Sequence, residues 1–375
     1  MQNKKLGFGF MRMPLTDPSD QKSVDIPQVK KMADLFLDKG FTYLDTAWMY
    51  HDFTSEDVVG RVVTDRHPRE SFTIASKMPC MMLKSSGQVK QVFNRQKKKL
   101  HVDYFDYYLM HDIGHSSYEK AKKYGAIDFC REKRENGEIR CLGFSIHDTP
   151  ELLEQILNEN PFFEFVQLQL NYLDWDSAGI QAHRCYDICT AHGKKVIVME
   201  PVKGGTLADP PAQVQEMLRK VHPDWSMASW AIRFAASLPE VLVVLSGMSN
   251  LQQMEDNLSY MEDFEPLNKE EWDLLLNAAE MMRQTTAIPC TGCRYCVEAS
   301  QCPKDILIPN YFALYNTKQL MKRDDFSPEN EYYGNYLQQG HGAAADCIAC
   351  GSCEEVCPQH IKISEWMPTV AEALK

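Results

Sequence analysis

The sequence predicts an α/β chain: a closed (β/α)8 TIM barrel followed by a second, smaller domain. Three observations carry this. Short apolar runs alternate with amphipathic helical stretches up to about residue 265. Polar residues fall in register at the ends of those runs. The cysteines are lopsided: of thirteen in 375 residues, eight lie after residue 289.

Taken in order, the apolar runs are Gly7–Phe10, Thr42–Asp45, Phe72–Lys77, Phe105–His111, Ile139–Ser145, Phe165–Asn171, Lys195–Glu200 and Val241–Gly247. After the first run, Val29, Met32, Ala33, Phe36 and Leu37 recur at the spacing of one helix face. Helical stretches follow at Val89–Leu100, Tyr118–Glu135, Glu151–Leu157, Ala182–Ala191, Met227–Ser237 and Leu251–Met261. Strand–helix alternation implies parallel pairing through right-handed crossovers. Eight such units in this length fit a closed barrel. A doubly wound sheet would want Gly-x-Gly-x-x-Gly after its first strand, and Gly7-Phe8-Gly9-Phe10-Met11-Arg12 does not supply it. Asp45, Lys77, His111, Ser145, Asn171, Glu200 and Ser246 sit at or just past strand ends. In a barrel those ends meet on the rim that carries active sites. The expected domains are the barrel over 1–265, a linking helix within 266–289, and a cysteine-rich domain over 290–375 with an insertion at about 310–345.

Composition sets outer bounds. Hydrophobic residues are 44% and charged residues 25%, an ordinary globular balance. The net charge of −12 and the lack of a long basic run argue against nucleic acid as a partner. No run is long and apolar enough to span a membrane. The start, Met1-Gln2-Asn3-Lys4-Lys5, leads into no apolar signal core. The expected compartment is therefore the cytoplasm, where dithiols stay reduced and thirteen cysteines need another explanation than disulfides.

Chemistry concentrates after strands 2 to 4: Asp45-Thr46-Ala47-Trp48-Met49-Tyr50, then Ala75-Ser76-Lys77, then Leu109-Met110-His111. Here the chain, from Leu6 to about Met261, resembles the aldo/keto reductase superfamily. The resemblance implies a catalytic tetrad of Asp45, Tyr50, Lys77 and His111 acting on a small carbonyl or alcohol. The chemistry is coherent. A carbonyl that accepts hydride needs a proton, free tyrosine has a pKa near 10, and a neighbouring ammonium lowers it. His111 would polarise the substrate oxygen.

The same resemblance implies NAD(H) or NADP(H). Ser145 and Gln167 match positions that hold the nicotinamide carboxamide, and Met199 stands where an aromatic residue commonly stacks on the ring. Gly204 and Gly205 match the loop over the pyrophosphate. Ser249 would face the adenosine phosphate, and Gln253, Asp256 and Asn257 the adenine. Asn250 replaces an arginine that favours the NADP 2′-phosphate, so NAD is expected to serve comparably or better. Met78-Pro79-Cys80-Met81-Met82, with Trp48 and Trp175, reads either as loop packing or as an apolar pocket wall.

The tail carries Cys290-x2-Cys293-x2-Cys296-x5-Cys302-Pro303 and Cys347-x2-Cys350-x2-Cys353-x3-Cys357-Pro358. This resembles the bacterial two-cluster ferredoxin, a small, mainly α-helical iron–sulfur domain. The resemblance implies two [4Fe–4S] clusters, one on Cys290, Cys293, Cys296 and Cys357, the other on Cys347, Cys350, Cys353 and Cys302. Structural zinc usually takes two Cys-x2–4-Cys pairs, a poorer match to two triplets each followed by Cys-Pro. The expected activity is hydride transfer between nicotinamide and a carbonyl or alcohol. The alternative is an iron–sulfur electron-transfer protein that uses the barrel as a scaffold. Nicotinamide passes two electrons and each cluster one. A flavin therefore stays open as an intermediary, although no flavin motif is visible, and a ferredoxin or another redox protein is the partner if the clusters carry electrons.

Overall fold

The computed structural model describes residues 4–284, 287–290, 292–298, 302–321 and 327–375. Eight parallel strands close into a barrel in chain order: β1 (Leu6–Gly9), β2 (Tyr43–Asp45), β3 (Thr73–Met78), β4 (Phe105–Met110), β5 (Ile139–Ile146), β6 (Phe165–Gln169), β7 (Lys195–Met199) and β8 (Val241–Ser246). Strand β8 pairs back onto β1, Phe8 beside Ser246. The register sets Gly9 beside Asp45, Lys77 beside Leu109 and Ser145 beside Gln167. All the C-terminal strand ends therefore share one rim, as a parallel barrel requires.

Alternation along each strand divides the core in two. Tyr43, Ala75, Leu109, Phe165, Ile197, Val243 and Leu245 fill the barrel interior. The opposite faces pack outward against the helices, where Phe93 of the helix Ser86–Leu100 lies 5.4 Å from Phe105 and 5.3 Å from Tyr108, ring centre to ring centre. The large rings inside demand small neighbours. A Cβ on Gly143 would come within 2.4 Å of the Phe165 carbonyl oxygen.

Helix starts follow their caps. Asp25 accepts from Gln28 N–H ahead of Ile26–Asp38, and Thr149 from Leu152 N–H ahead of Pro150–Glu159. One expectation is corrected. The stretch 118–135 is two helices, His115–Lys123 and Ala126–Glu135, parted at Gly125, whose φ of 70° no right-handed helix accommodates.

Beyond the barrel, the helix Lys269–Gln284 lays Trp272 on Phe234, ring centres 4.0 Å apart, and edge-on to Trp175 at 5.7 Å. The C-terminal part is helical and internally repetitive. The segments 302–308 and 357–363 share a backbone plan: a turn bond from residue 3 to residue 0 (Asp305 N–H to Cys302 O, His360 N–H to Cys357 O, both 3.0 Å) and a left-handed residue (Asp305, φ 49°; His360, φ 50°). Each leads into a helix, Ile308–Leu320 and Ile363–Leu374.

One further helix, Pro328–Gln338, lies across the barrel mouth. Asn335 Nδ2 donates to the His147 carbonyl at 2.6 Å, and Gln339 Nε2 to Asp148 Oδ1 at 2.5 Å. Tyr332 meets the His147 ring edge-on at 5.6 Å. Below them Lys203 Nζ sits 2.8 Å from both oxygens of Asp174 and 2.8 Å from Glu329 Oε1, all three side chains fully buried.

Candidate active site

Lys77, one residue before the end of β3, has its side chain sealed from solvent. An ammonium there needs a counter-charge, and Asp45, at the end of β2, supplies it at 2.5 Å. Nζ also donates to the Thr46 carbonyl at 2.8 Å and reaches the Tyr50 hydroxyl at 3.4 Å. His111, just past β4, stands edge-on to the Tyr50 ring, centres 5.8 Å apart. A buried network braces the lysine from behind: Gln96 Nε2 donates to the Lys77 carbonyl and to Glu56, and Ser76 donates to Glu56 as well. The structure therefore brings Asp45, Tyr50, Lys77 and His111 together.

Charge states follow from these surroundings. Burial pushes the Lys77 ammonium down, but Asp45 and Tyr50 outweigh it and hold the lysine charged. Burial, then Lys77 and His147, push His111 far below the ordinary imidazole range, so it is neutral near pH 7. The Tyr50 phenol corrects an expectation. Burial raises it by more than Lys77 lowers it, and the net direction is upward. The hydroxyl keeps its proton at neutral pH.

These groups open into a cavity of about 990 Å³. Ser145, Gln167, Met199 and Ser249 line it too, as does Met81. Ser145 Oγ accepts the Asp112 N–H at 2.8 Å, and Gln167 Oε1 is buried with no partner among the described residues. The space runs from Tyr50 to Gly247 and Ser249, where Arg12 pairs with Glu200 at 3.3 Å.

Other expected positions fall elsewhere. Gly204 and Gly205 take left-handed conformations (φ 62° and 107°) in the loop after Lys203, outside the cavity wall. Gln253 is exposed and accepts the Ser249 N–H at 2.7 Å. Asp256 accepts from the Ser226 hydroxyl, and Asn257 is buried between Ser246 and Tyr260. Asp256 and Asn257, expected against an adenine, each have side-chain partners in the packing of neighbouring elements. The N-cap of Leu251–Met261 is Asn250, which accepts the Gln253 N–H at 2.9 Å. The apolar-wall reading holds for Met81 only. Trp48 lies under Arg95 and Lys99 in a separate outer groove, and Trp175 stacks on His183 at 4.2 Å.

Sequence reasoning missed the part of the site that comes from elsewhere in the chain. Pro328, Glu331, Asn335 and Gln338 of the crossing helix line the cavity, as do Asp112 and His147. It also missed the turn after Tyr50. His51, Asp52 and Phe53 are all left-handed (φ 50°, 49° and 68°), at a cost of roughly 1–2 kcal/mol each. His51 holds them: its Nε2 accepts the Met13 N–H at 3.3 Å, and its Nδ1 faces the Gln21 carbonyl at 2.9 Å. Only the neutral Nδ1–H tautomer makes both contacts.

The eight tail cysteines gather into two sets. Cys290, Cys293, Cys296 and Cys357 line one cavity, and Cys302, Cys347, Cys350 and Cys353 another, with Ile308 and Ile363 between them in both walls. The two loops match in backbone. The residues flanking the middle cysteine are left-handed in each, Gly292 and Arg294 in the first, Ala349 and Gly351 in the second. Each set of four thiols surrounds an apolar space, a donor set that fits a cubane cluster.

A parallel barrel with a buried Lys–Asp pair beside a tyrosine and a histidine at its rim, joined to a helical part with two four-cysteine cavities, defines a barrel oxidoreductase with an iron–sulfur-type tail. Sequence comparison places it. The chain belongs to the aldo/keto reductase family, whose profile matches residues 5–280, and a 4Fe-4S dicluster domain matches residues 289–361. It is 21% identical over 252 residues to the uncharacterized oxidoreductase YqkF of Bacillus subtilis, covering 59% of this chain and 78% of that one. It is 28% identical over 177 residues to mouse aldo-keto reductase family 1 member C13, covering 41% and 53%. Among solved structures, the holo form of aldo-keto reductase AKR11C1 from Bacillus halodurans superposes with a TM-score of 0.60 at 22% identity, covering 73% of this chain and 91% of that one. An aldo-keto reductase from Klebsiella pneumoniae in complex with NADPH gives 0.58 at 20% identity, covering 73% and 94%.

Proposed function

We propose that the protein transfers hydride reversibly between a nicotinamide dinucleotide and a small carbonyl or alcohol, and that the tail holds two [4Fe–4S] clusters. The observation that carries the first part is the sealed Lys77 ammonium, fixed by Asp45 and 3.4 Å from the Tyr50 hydroxyl inside the cavity. When bound, reduced nicotinamide supplies hydride to the carbonyl carbon. Tyr50 gives its proton to the forming alkoxide oxygen, and Lys77 steadies the phenolate left behind. Asp45 orients Lys77. Neutral His111 donates a hydrogen bond to the same oxygen. Gln167 and Ser145 suit a carboxamide: Gln167 has a buried, unpartnered acceptor, and the Ser145 hydroxyl lies beside it in the strand register. The Klebsiella relative's complex with NADPH supports a nicotinamide cofactor here. The two cysteine sets would hold the clusters, which supply one-electron transfer or cross-linking.

Iron and acid-labile sulfide tell clusters from zinc. Anaerobically purified protein is expected to contain about eight of each per chain, with broad visible absorption. Stoichiometric zinc without that absorption would remove the clusters from the account.

Asn250 frames cofactor choice. With no arginine there, we expect NADH to bind at least as well as NADPH. Asn250→Arg should shift preference toward NADPH by about 1.5–3 kcal/mol. It should also cost about 1 kcal/mol of stability, because it removes the cap on Gln253 N–H. Dissociation constants for both cofactors and a denaturation curve check the two halves.

A further inference from the structure

Charge in the cavity above Tyr50 is unbalanced. Its walls carry two ion pairs, Lys77 with Asp45 and Arg12 with Glu200. His111 and His147 are kept neutral, burial being the largest cause for both. That leaves Asp112 and Glu331. Among the described residues neither has a cation beside it, and the buried Asp112 Oδ1 has no hydrogen-bond partner. Burial and then Asp148 push the Asp112 carboxyl up to about 6. Burial and then Asp112 push Glu331 up. Each carboxylate thus lacks what would stabilise it: a positive charge in the space between them.

Both are fixed in place. Asp112 is left-handed (φ 49°), with its N–H bonded to Ser145 Oγ. Glu331 comes from the far end of the chain on the helix Pro328–Gln338. Asn335, Gln339 and the Lys203–Glu329 pair pin that helix to the barrel. The approach is close: a Cβ on Gly114 would meet Asn335 Oδ1 at 2.6 Å.

We propose that the substrate carries a cationic nitrogen, a primary or secondary ammonium, beside its carbonyl or alcohol, and that Asp112 and Glu331 recognise it. Arg12 is already paired, and among the described residues no other cation is free on the cavity wall. A carboxylate-bearing substrate would face two like charges with nothing to offset them. The dicluster domain is thereby a specificity element of the barrel, since it delivers Glu331. This rests on reading the tetrad as the place where the substrate carbon reacts.

The test uses full-length protein purified without oxygen and three matched alcohols: 1-amino-2-propanol, 1,2-propanediol and lactate. Calorimetry measures their binding with NADH present, which prevents turnover, and again without it. The amino alcohol is expected to bind at least about tenfold more tightly than the diol, and lactate least. Asp112→Asn and Glu331→Gln, which keep shape and remove charge, should each weaken amino-alcohol binding about tenfold, the scale of a charge-assisted hydrogen bond. Lactate binding as tightly as the amino alcohol, no measurable binding of the amino alcohol, or an unaltered preference in both variants would overturn the proposal. Failure of the reductase reading looks different: the amine preference and its loss in the variants persist, while no carbonyl is reduced.

Discussion

Tyr50→Phe is expected to lower carbonyl reduction by about 10²–10⁴-fold, the usual scale for removing a general acid. The ring stays in place against His111, and Lys77 keeps Asp45 and the Thr46 carbonyl, so fold and cofactor binding survive. Steady-state rates beside a cofactor titration separate the two. A variant that reduces the substrate at the wild-type rate would show that another group donates the proton. The upward shift of Tyr50 adds a pH signature. Alcohol oxidation needs the phenolate, whose population grows tenfold per pH unit below the pKa. Oxidation should therefore rise from pH 7 toward pH 10, while reduction, served by the protonated phenol, stays flat over that range.

The second large effect concerns Lys203. This ammonium is buried against Asp174 and Glu329, and the two carboxylates outweigh burial to hold it charged. Lys203→Met removes the only cation of the trio and leaves two carboxylates sealed from water. Breaking a buried pair in this way costs about 3–5 kcal/mol. Glu329→Gln should cost clearly less, because Lys203 keeps both oxygens of Asp174 at 2.8 Å. Denaturant unfolding followed by tryptophan fluorescence compares the variants. Equal losses would mean that the helix Pro328–Gln338 depends on Glu329 packing rather than on charge. The pair joins the loop after β7 to that helix, so Lys203→Met should also loosen the cavity roof.

The barrel was legible because its signals are local and periodic. The eight strands fall within a residue or two of the apolar runs, and Asp45, Lys77 and His111 stand where strand ends must converge. The helix break at Gly125 shows the limit of reading apolar spacing alone, since that spacing continues across a residue whose φ is positive. The packing partners of Asp256 and Asn257 were not legible, for another reason. Spacing puts Asp256 and Asn257 near the rim, but Ser226, Ser246 and Tyr260 take up their polar atoms, and those partners are distant in sequence or depend on side-chain rotamers. The roof was the least legible part. Nothing in Pro328–Gln338 says which surface it will cover. Its placement comes from Asn335, Gln339 and Glu329 finding partners in the barrel at separations of more than a hundred residues. The cysteine sets, by contrast, followed from the resemblance to the two-cluster ferredoxin that the repeated triplets carry, and the structure gathers the same two groups of four.

In the proposed reaction hydride passes directly from nicotinamide to the substrate carbon held between Tyr50 and His111. The most direct test follows deuterium from nicotinamide labelled at the reactive carbon into the alcohol product, with each cofactor stereoisomer in turn. One isomer is expected to deliver its deuterium to the carbinol carbon, and Tyr50→Phe to suppress the transfer. Product that carries no deuterium from either isomer, with the label lost to water, would contradict direct transfer and point to an intervening electron carrier.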